Sequence, residues 1–154
     1  MKSVQEQCLE EIAGVIRGLA LRRLDHSSVH VARLPWYING DGTAVINRGI
    51  YVHPVEEREA PGTNEREDIG YGCAITMIVP ATHSGLEEVG LVSEWRETIR
   101  RRLVNRRLTD LVLEGGHSCI VKIEHNNLNV PREAHRYEVS SMVARCWVRE
   151  PRTS

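Results

Sequence analysis

Apolar residues recur at steps of three and four near the start of the chain, which predicts an amphipathic helix. Charged residues fill the positions between them, and the pattern holds over about 3–23. Gly14 and Gly18 fall within this helix, where they either weaken it or leave a notch for close packing. The predicted apolar stripe consists of Val4, Cys8, Ile12, Val15, Ile16 and Leu19.

Alternating apolar residues further along the chain predict five β-strands. The longest candidate before the middle of the chain is 71–79, and both of its faces are largely apolar, which predicts a central strand. The final candidate exceeds the usual strand length, so that it either protrudes or contains a bulge. The five predicted strands lie at 29–33, 49–55, 71–79, 118–124 and 137–149.

A second helix is predicted to open at Ser84, because the run 84–87 matches a capping box. A tight turn is predicted at 39–42, which contains Asn-Gly and Asp-Gly. The order of these elements predicts an α+β fold in a single domain, 1–154, with a mostly antiparallel sheet of about five strands and two helices packed on one face. The buried stripe predicted for the second helix consists of Val89, Val92, Trp95, Ile99 and Leu103.

Two segments carry opposite charge. The segment 56–68 is predicted to be a mobile acidic loop, and its six acids and two arginines give a net charge of −4. The segment 96–107 holds six arginines and one acid, for a net charge of +5. The residues predicted to contact other copies or partners are Glu56, Glu57, Glu59, Glu65, Glu67, Asp68, Arg96, Arg100, Arg101, Arg102, Arg106 and Arg107.

If both segments lie on the surface, their potentials are complementary between neighbouring copies. Head-to-tail contacts of this kind close into rings when the rotation permits. One alternative is that both segments are ordinary solvated charge, since arginines also suit the end of a helix for its dipole. Another is that the arginines contact phosphates. The last residues, 150–154, are predicted to form a flexible C-terminus.

Composition limits the classes of function. The 154 residues are 41% hydrophobic and 27% charged, as in a globular domain, and the net charge of −1 supplies no bulk attraction for nucleic acid or an anionic membrane. No apolar run approaches the roughly 18 residues of a membrane span. The polar start of the chain predicts no signal peptide and maturation in a cytoplasm. The four cysteines are widely spaced and are expected to be reduced and buried.

Catalytic motifs are not apparent. The seven histidines form no close ligand pair, no serine lies in a Gly-x-Ser-x-Gly run, and Gly70-Tyr71-Gly72 lacks the lysine of a phosphate loop. Acids interrupted by arginines on a flexible loop make a poor cage for a divalent ion, because such ions need several fixed oxygens. We therefore predict no catalytic residue, no metal and no cofactor, with a metal-dependent enzyme as a distant alternative.

Several runs of the chain have a familiar order: GIYVHPVE at 49–56, IGYG at 69–72, WRETIR at 95–100, and YEVS and WVRE at 137–140 and 147–150. Taken together they resemble the small tail terminator, or tail completion, proteins of long-tailed bacteriophages and related particles. The resemblance covers most of the chain and lies in the order and character of its segments.

The resemblance implies a two-layer α+β fold assembled as a hexameric ring at the tail–neck junction of a virion made in a bacterial cytoplasm. Such a ring caps the tail tube, ends its polymerisation and joins it to the head. The implied partners are other copies of the chain, the tail tube protein, a neck or head-completion protein, and DNA that passes through the lumen without sequence recognition.

By this resemblance the loop 56–68 lies at a ring or tube contact, and the region 100–107 contacts a neighbour or the neck. No cofactor and no catalytic residue follow from it. The nearest alternative is another neck or head–tail joining protein. A module that binds nucleic acid through its arginine cluster is the alternative from a different class.

Overall fold

The computed structural model describes residues 2–32, 48–60, 66–80, 86–109, 111, 119–124 and 137–151. Over these residues the chain forms two α-helices, a short 3-10 helix and six β-strands. The helices are α1, Val4–Gly18, and α2, Leu86–Leu103, with the 3-10 turn at His26–Ser28. The strands are β1 Val29–Val31, β2 Gly49–Ala60, β3 Arg66–Pro80, β4 Arg107–Leu108, β5 Cys119–Glu124 and β6 Tyr137–Pro151.

The strands form one sheet in the order β1-β2-β3-β6-β5-β4. The α+β class is confirmed, but the predicted sheet of about five mostly antiparallel strands must be corrected to a mixed sheet of six. Strand β1 runs parallel to β2, with Val29 opposite Ile50, and the other neighbours are antiparallel. The two-residue strand β4 was not among the predicted strands, because two residues carry no periodicity.

Strands β3 and β6 form the centre of the sheet. They pair along their whole length, from Arg66 opposite Pro151 to Pro80 opposite Tyr137. The central position predicted for β3 is confirmed, since β2 pairs along its other side. The pairing of β2 with β3 shifts register between Val55 and Arg58, which is a β-bulge.

Both helices pack on the same face of the sheet. A capping box of Ser3 and Glu6 starts α1, because each side chain satisfies the other's backbone N–H. The row Ile50, Met77 and Ser140 and the row Val52, Ile75 and Met142 face the helices. Residues of both helices and of this sheet face form one buried cluster.

Most of the predicted stripe of α2 is buried, including Trp95 and Ile99 at 0% exposure. The predicted burial of Val89 is wrong, because Val89 is exposed, whereas Leu91 is buried. The helix is rotated so that Leu91 and Val92, which are adjacent in sequence, both meet the sheet. The prediction of buried, reduced cysteines is confirmed for Cys8, Cys73 and Cys146; these lie on α1, β3 and β6.

The prediction that 56–68 form a loop must also be corrected. Strand β2 continues to Ala60 and β3 begins at Arg66, so that only 61–65, with Glu65, lie outside the described residues. Strand β2 pairs there with β3, and β3 pairs with β6, while the side chains of Glu56, Glu57 and Glu59 reach solvent. Of the predicted flexible C-terminus 150–154, Glu150 and Pro151 belong to β6, whereas 152–154, the turn 39–42 and the cap at Ser84 lie outside the described residues.

Candidate assembly surface

The second half of β2 carries exposed carboxylates. Glu56, Glu57 and Glu59 are exposed, and we name these three residues the acidic flank. None of them makes a salt bridge shorter than 3.8 Å with a described residue. The closest approach is from Arg145 Nη2 to Glu56 Oε1 at 3.8 Å. The acidic flank therefore keeps most of its charge available to solvent or to a partner.

The other acids of this region are turned inward or paired. Glu67 and Asp68 on β3 are half-buried. Arg149 Nε donates to Asp68 Oδ1 at 2.8 Å, and this hydrogen bond lowers the pKa of the Asp68 carboxyl. Burial, and then the hydrogen bond that Tyr71 donates to Glu150, raise the pKa of Tyr71. These pairs join β3 to β6 and leave the charge at this end of the sheet on β2.

The backbone edge beside the acidic flank is open among the described residues. Strand β1 pairs with β2 only from Ile50 to Val52, and Ala32 N donates to Val52 O at 3.2 Å where that pairing ends. An open strand edge invites pairing with other chains, and charged side chains on it restrict which partners can approach. Among the described residues, the edge from His53 to Ala60 is therefore unpaired, and it carries charged side chains.

A buried arginine holds this part of β2 in place. Arg145 on β6 is 1% exposed and lies across β3 on the face opposite the helices. Its Nε and Nη2 donate to the two carboxylate oxygens of Glu124 at 2.8 and 3.3 Å. Its Nη1 donates to the backbone oxygens of Glu56 at 2.7 Å and Gly70 at 3.1 Å. One guanidinium therefore ties β5, β3 and the bulge of β2 together.

Two glycines of β3 make room for this arginine. A Cβ at Gly70 would lie 2.7 Å from Arg145 Cδ, and a Cβ at Gly72 would lie 2.8 Å from the backbone oxygen of Glu56. Arg58 Nη1 also reaches Glu124 Oε1, at 3.0 Å. Neither Arg145 nor Glu124 was predicted from the sequence as a residue of this site. The alternation Gly70-x-Gly72 was the available signal, because glycines on one face of a strand indicate close approach by another group.

The predicted arginines divide into two groups. Arg96 turns toward the sheet, where its Nη1 donates to Ser140 Oγ at 2.8 Å and to the backbone oxygen of Ser141. Burial, and then the nearby charge of Arg100, lower the pKa of Arg96. Arg101 is exposed and forms a salt bridge with Glu97 one turn away. Arg100 is half-buried, so these three arginines present little free charge.

The remaining arginines are exposed at the end of α2 and on β4. Arg102, Arg106 and Arg107 make no salt bridge with any residue in the described ranges, and we name them the basic flank. Val121 N donates to the backbone oxygen of Arg106 at 2.9 Å, which fixes this turn against β5. The basic flank therefore consists of exposed side chains on a backbone that α2 and the pairing with β5 hold in place.

The sheet register shows how the two flanks are placed. Arg58 lies opposite Gly70, Gly70 opposite Trp147, Trp147 opposite Ile120, and Ile120 opposite Arg107. These residues form one row across five strands, about 19 Å wide at the usual strand spacing. The acidic and basic flanks thus lie at the same end of the sheet, toward opposite edges. Two different surfaces of opposite charge can meet in a head-to-tail contact between copies.

A row of polar side chains, His53, Thr76 and Ser141, lies on the face of the sheet opposite the helices. His53 Nε2 lies 3.2 Å from Thr76 Oγ1, which lies 2.8 Å from Ser141 Oγ. Burial lowers the pKa of His53. The imidazole contacts Thr76 and not the Ser141 hydroxyl, so the row links three strands and does not have the contact of a serine–histidine pair.

In the described ranges, helix length and the placement of His, Cys, Asp and Glu side chains bear on membrane-spanning and metal-binding functions. Neither helix there is long and apolar enough to cross a membrane. Within the same ranges, no group of three or more His, Cys, Asp and Glu side chains is placed to hold a metal ion.

Comparison with known proteins yields a similarity among solved structures. No family model and no curated protein matches the chain. Among solved structures, it is similar to a chain of the virion of a native gene transfer agent (GTA) particle, with a TM-score of 0.55. The two are 17% identical, over 88% of this chain and 85% of that one. At this level of identity the similarity establishes a shared fold over nearly the whole chain.

Proposed function

We propose that this chain is a structural protein of a phage-like virion, and that it acts as a tail terminator. In this role a ring of copies, six by the family resemblance, caps the tail tube, ends its polymerisation and joins the tail to the neck. The fold shared with a chain of a gene transfer agent virion supports a place in such a particle. The order of the segments from 49–56 to 147–150 supports the terminator role in particular.

The observation that carries the proposal is the placement of opposite charge at one end of the sheet. The acidic flank and the basic flank are exposed, and their strands are held rigidly by Arg145 and by the β4–β5 pairing. Identical copies that each carry both charges attract one another head to tail, and rotation of such contacts closes a ring. The work proposed for the molecule is assembly, with no chemical bond made or broken.

The proposed partners follow from the same role. Besides its own copies, the ring would contact the tail tube protein on one side and a neck or head-completion protein on the other. DNA would pass through the lumen without sequence recognition, and the protein would reside at the tail–neck junction. The sites of tube and neck contact would lie on the two surfaces of the ring outside the flanks.

Mass measurement and imaging of the purified full chain test the ring. We expect light scattering to give six times 17.5 kDa at low salt, and negative-stain images to show rings. Raising the salt concentration should dissociate the ring, because screening weakens contacts between exposed charges. A chain that remains monomeric at all concentrations, and is monomeric in the mature particle, would contradict the proposal.

Deletion of the gene from the particle's own genome tests the terminator role. We expect tails of uncontrolled length that do not join heads, and restoration by the wild-type gene. The purified ring should also bind the end of an isolated tail tube. Binding to the head-side neck proteins but not to the tube would indicate another head–tail joining protein.

A further inference from the structure

A groove lies between the solvent side of α1 and the end of α2. Its volume is about 410 Å³, which falls within the range of binding clefts. Gly14 and Gly18 form part of its floor, and a Cβ added at either would meet no atom within 4 Å. The complete lining is Glu10, Glu11, Gly14, Val15, Gly18, Leu19, Arg102 and Arg106.

The two carboxylates on the α1 wall of the groove, Glu10 and Glu11, both have interactions within the chain. Lys2 Nζ donates to both carboxylate oxygens of Glu10, at 2.9 and 2.7 Å, so that the charge of Glu10 is largely compensated. Arg102 and Arg106 on the opposite wall form no salt bridge with residues of the described part. Arg101, which points away from the groove, is already paired with Glu97. The wall formed by α2 is thus an open cationic surface.

We propose that this groove is the socket for the acidic flank of a second copy of the chain. The inference rests on the proposed function, since it names the contact through which the copies assemble. The carboxylates of Glu57 and Glu59 would meet Arg102 and Arg106, and guanidinium–carboxylate contacts of this kind are directional as well as attractive.

The shapes of the two surfaces support this pairing. The acidic flank lies on a strand whose outer edge has no partner from His53 onward among the described residues, and Arg145 is hydrogen-bonded to its bulge. A rigid element loses little entropy on docking. Because Gly14 and Gly18 have only hydrogen as a side chain, the backbone of an incoming strand can approach α1 closely. Packing against the described part of the chain does not explain the two glycines, because a Cβ at either would face open space there.

The first test fills the groove without disturbing the fold. Gly14→Leu adds a side chain where the monomer has room, and leucine favours a helix more than glycine does. Gly90→Leu is the matched control, since Gly90 lies on α2 outside the groove and its Cβ direction is also open. We expect Gly14→Leu to weaken self-association by about tenfold or more, measured by sedimentation equilibrium. Gly90→Leu should assemble like the wild type, and both variants should unfold at or above the wild-type temperature.

The second test exchanges the charges. The double variant Arg102→Glu, Arg106→Glu and the double variant Glu57→Arg, Glu59→Arg should each weaken self-association by about 100-fold, because like charges then face each other. The variant that carries all four substitutions should recover most of the wild-type affinity. Arg101→Glu is the control for a change of charge on the same helix outside the groove, and it should have a small effect.

The outcomes separate this inference from the function on which it rests. If the wild type forms rings and both Gly14→Leu and the charge-reversed variants form them equally well, the groove is not the socket, while the proposed function stands. If the wild type never associates, both proposals fail. If Arg102→Glu, Arg106→Glu abolishes salt-sensitive binding of duplex DNA but leaves assembly unchanged, the groove serves phosphates and the inference is overturned.

Discussion

The sheet has two regions that are stabilised by different means. In the region that α1 and α2 cover, β2, β3 and β6 present apolar side chains such as Ile50, Ile75 and Met142, all fully buried. In the distal region, formed by Glu56–Ala60, 66–72 and 145–151, Cys146 and Val148 still belong to the buried cluster, but β3, β5 and β6 are also joined by pairs that include a charged side chain. Those pairs are Arg145 with Glu124, Arg149 with Asp68, and Tyr71 with Glu150.

The difference separates folding from assembly. Burial of apolar surface is strong and non-directional, and it stabilises the fold whatever the detailed placement of each side chain. Hydrogen-bonded charges contribute less net stability, but they hold a backbone in one geometry. The covered region therefore supplies most of the free energy of folding, and the distal region supplies a shaped, charged edge for contact with other copies.

The largest effect should come from truncating the covered region. Trp95 is 0% exposed and its Nε1 donates to the backbone oxygen of Arg22 at 2.8 Å. Trp95→Ala should lower the free energy of unfolding by about 3–5 kcal/mol, measured by urea denaturation. Trp147→Ala, in the distal region, removes a half-buried side chain and should cost about 1 kcal/mol. Equal losses for the two tryptophans would contradict the distinction between the regions.

Removal of the buried cation should be the next largest effect. Arg145→Met removes a donor from the backbone oxygens of Glu56 and Gly70, and it leaves the Glu124 carboxylate with Arg58 as its remaining described partner. Loss of one partner from a buried pair is strongly destabilising, but Glu124 is 29% exposed and can recover water. We expect a loss of about 2–3 kcal/mol and faster amide hydrogen exchange at the bulge of β2.

The matched control for this cation is an exposed arginine on the same strand. Arg149 is 54% exposed and pairs with Asp68. Arg149→Met should cost less than about 1 kcal/mol, as is usual for exposed pairs. A loss at Arg149 as large as that at Arg145 would show that burial does not set the strength of these pairs.

The two glycines should differ from each other. A Cβ at Gly72 would lie 2.4 Å from Val55 Cγ2 and 2.8 Å from the backbone oxygen of Glu56, which pairing holds in place. A Cβ at Gly70 would mainly meet Arg145 side-chain carbons, which can move. Gly72→Ala should therefore cost about 1–3 kcal/mol, and Gly70→Ala should cost less. Thermal unfolding of the two variants checks this order, and the reverse order would show that the bulge is the softer element.

The smallest effect concerns pH. Burial lowers the pKa of His53 in the folded chain, so the unfolded chain binds a proton first as the pH falls. This contribution to stability is present above the ordinary histidine pKa of about 6.5, and it is lost as the pH falls from there through the lowered pKa of the folded state. Urea midpoints at pH 7.5 and 5.5 should differ less for His53→Gln than for the wild type. An identical pH dependence in both would exclude His53 as the source.

Periodicity was a reliable guide where burial decides the structure. The stripes of α1 and most of α2, the central position of β3 and the long final strand were all visible in the sequence, because apolar residues there repeat at the period of the element. Val89 shows the limit of the method. Its position fits a helical stripe, yet α2 turns Leu91 inward instead, and the choice depends on the shape of the sheet beneath it.

The sequence identifies the charged residues as a group, but it does not show which partner each side chain contacts. Arg96, Arg101 and Arg106 look alike in sequence. In the structure the first is bonded to the sheet, the second is paired with Glu97 and the third lines an open groove. The same holds for the acids, since Asp68 is paired and Glu59 is exposed. A side chain's partner depends on strand register, which the spacing of charges does not specify.

By itself the sequence determined the fold class, the main helices and strands, and the presence of two oppositely charged segments, because each of these depends on composition and local period. Only the tertiary structure decided that β1 runs parallel, that the acidic segment is mostly strand, and that Arg145 is buried across Gly70 and Gly72. It also brought Gly14 and Gly18 beside Arg102 and Arg106 in one groove. These features join residues far apart in the chain, and such contacts arise from the packing of whole elements.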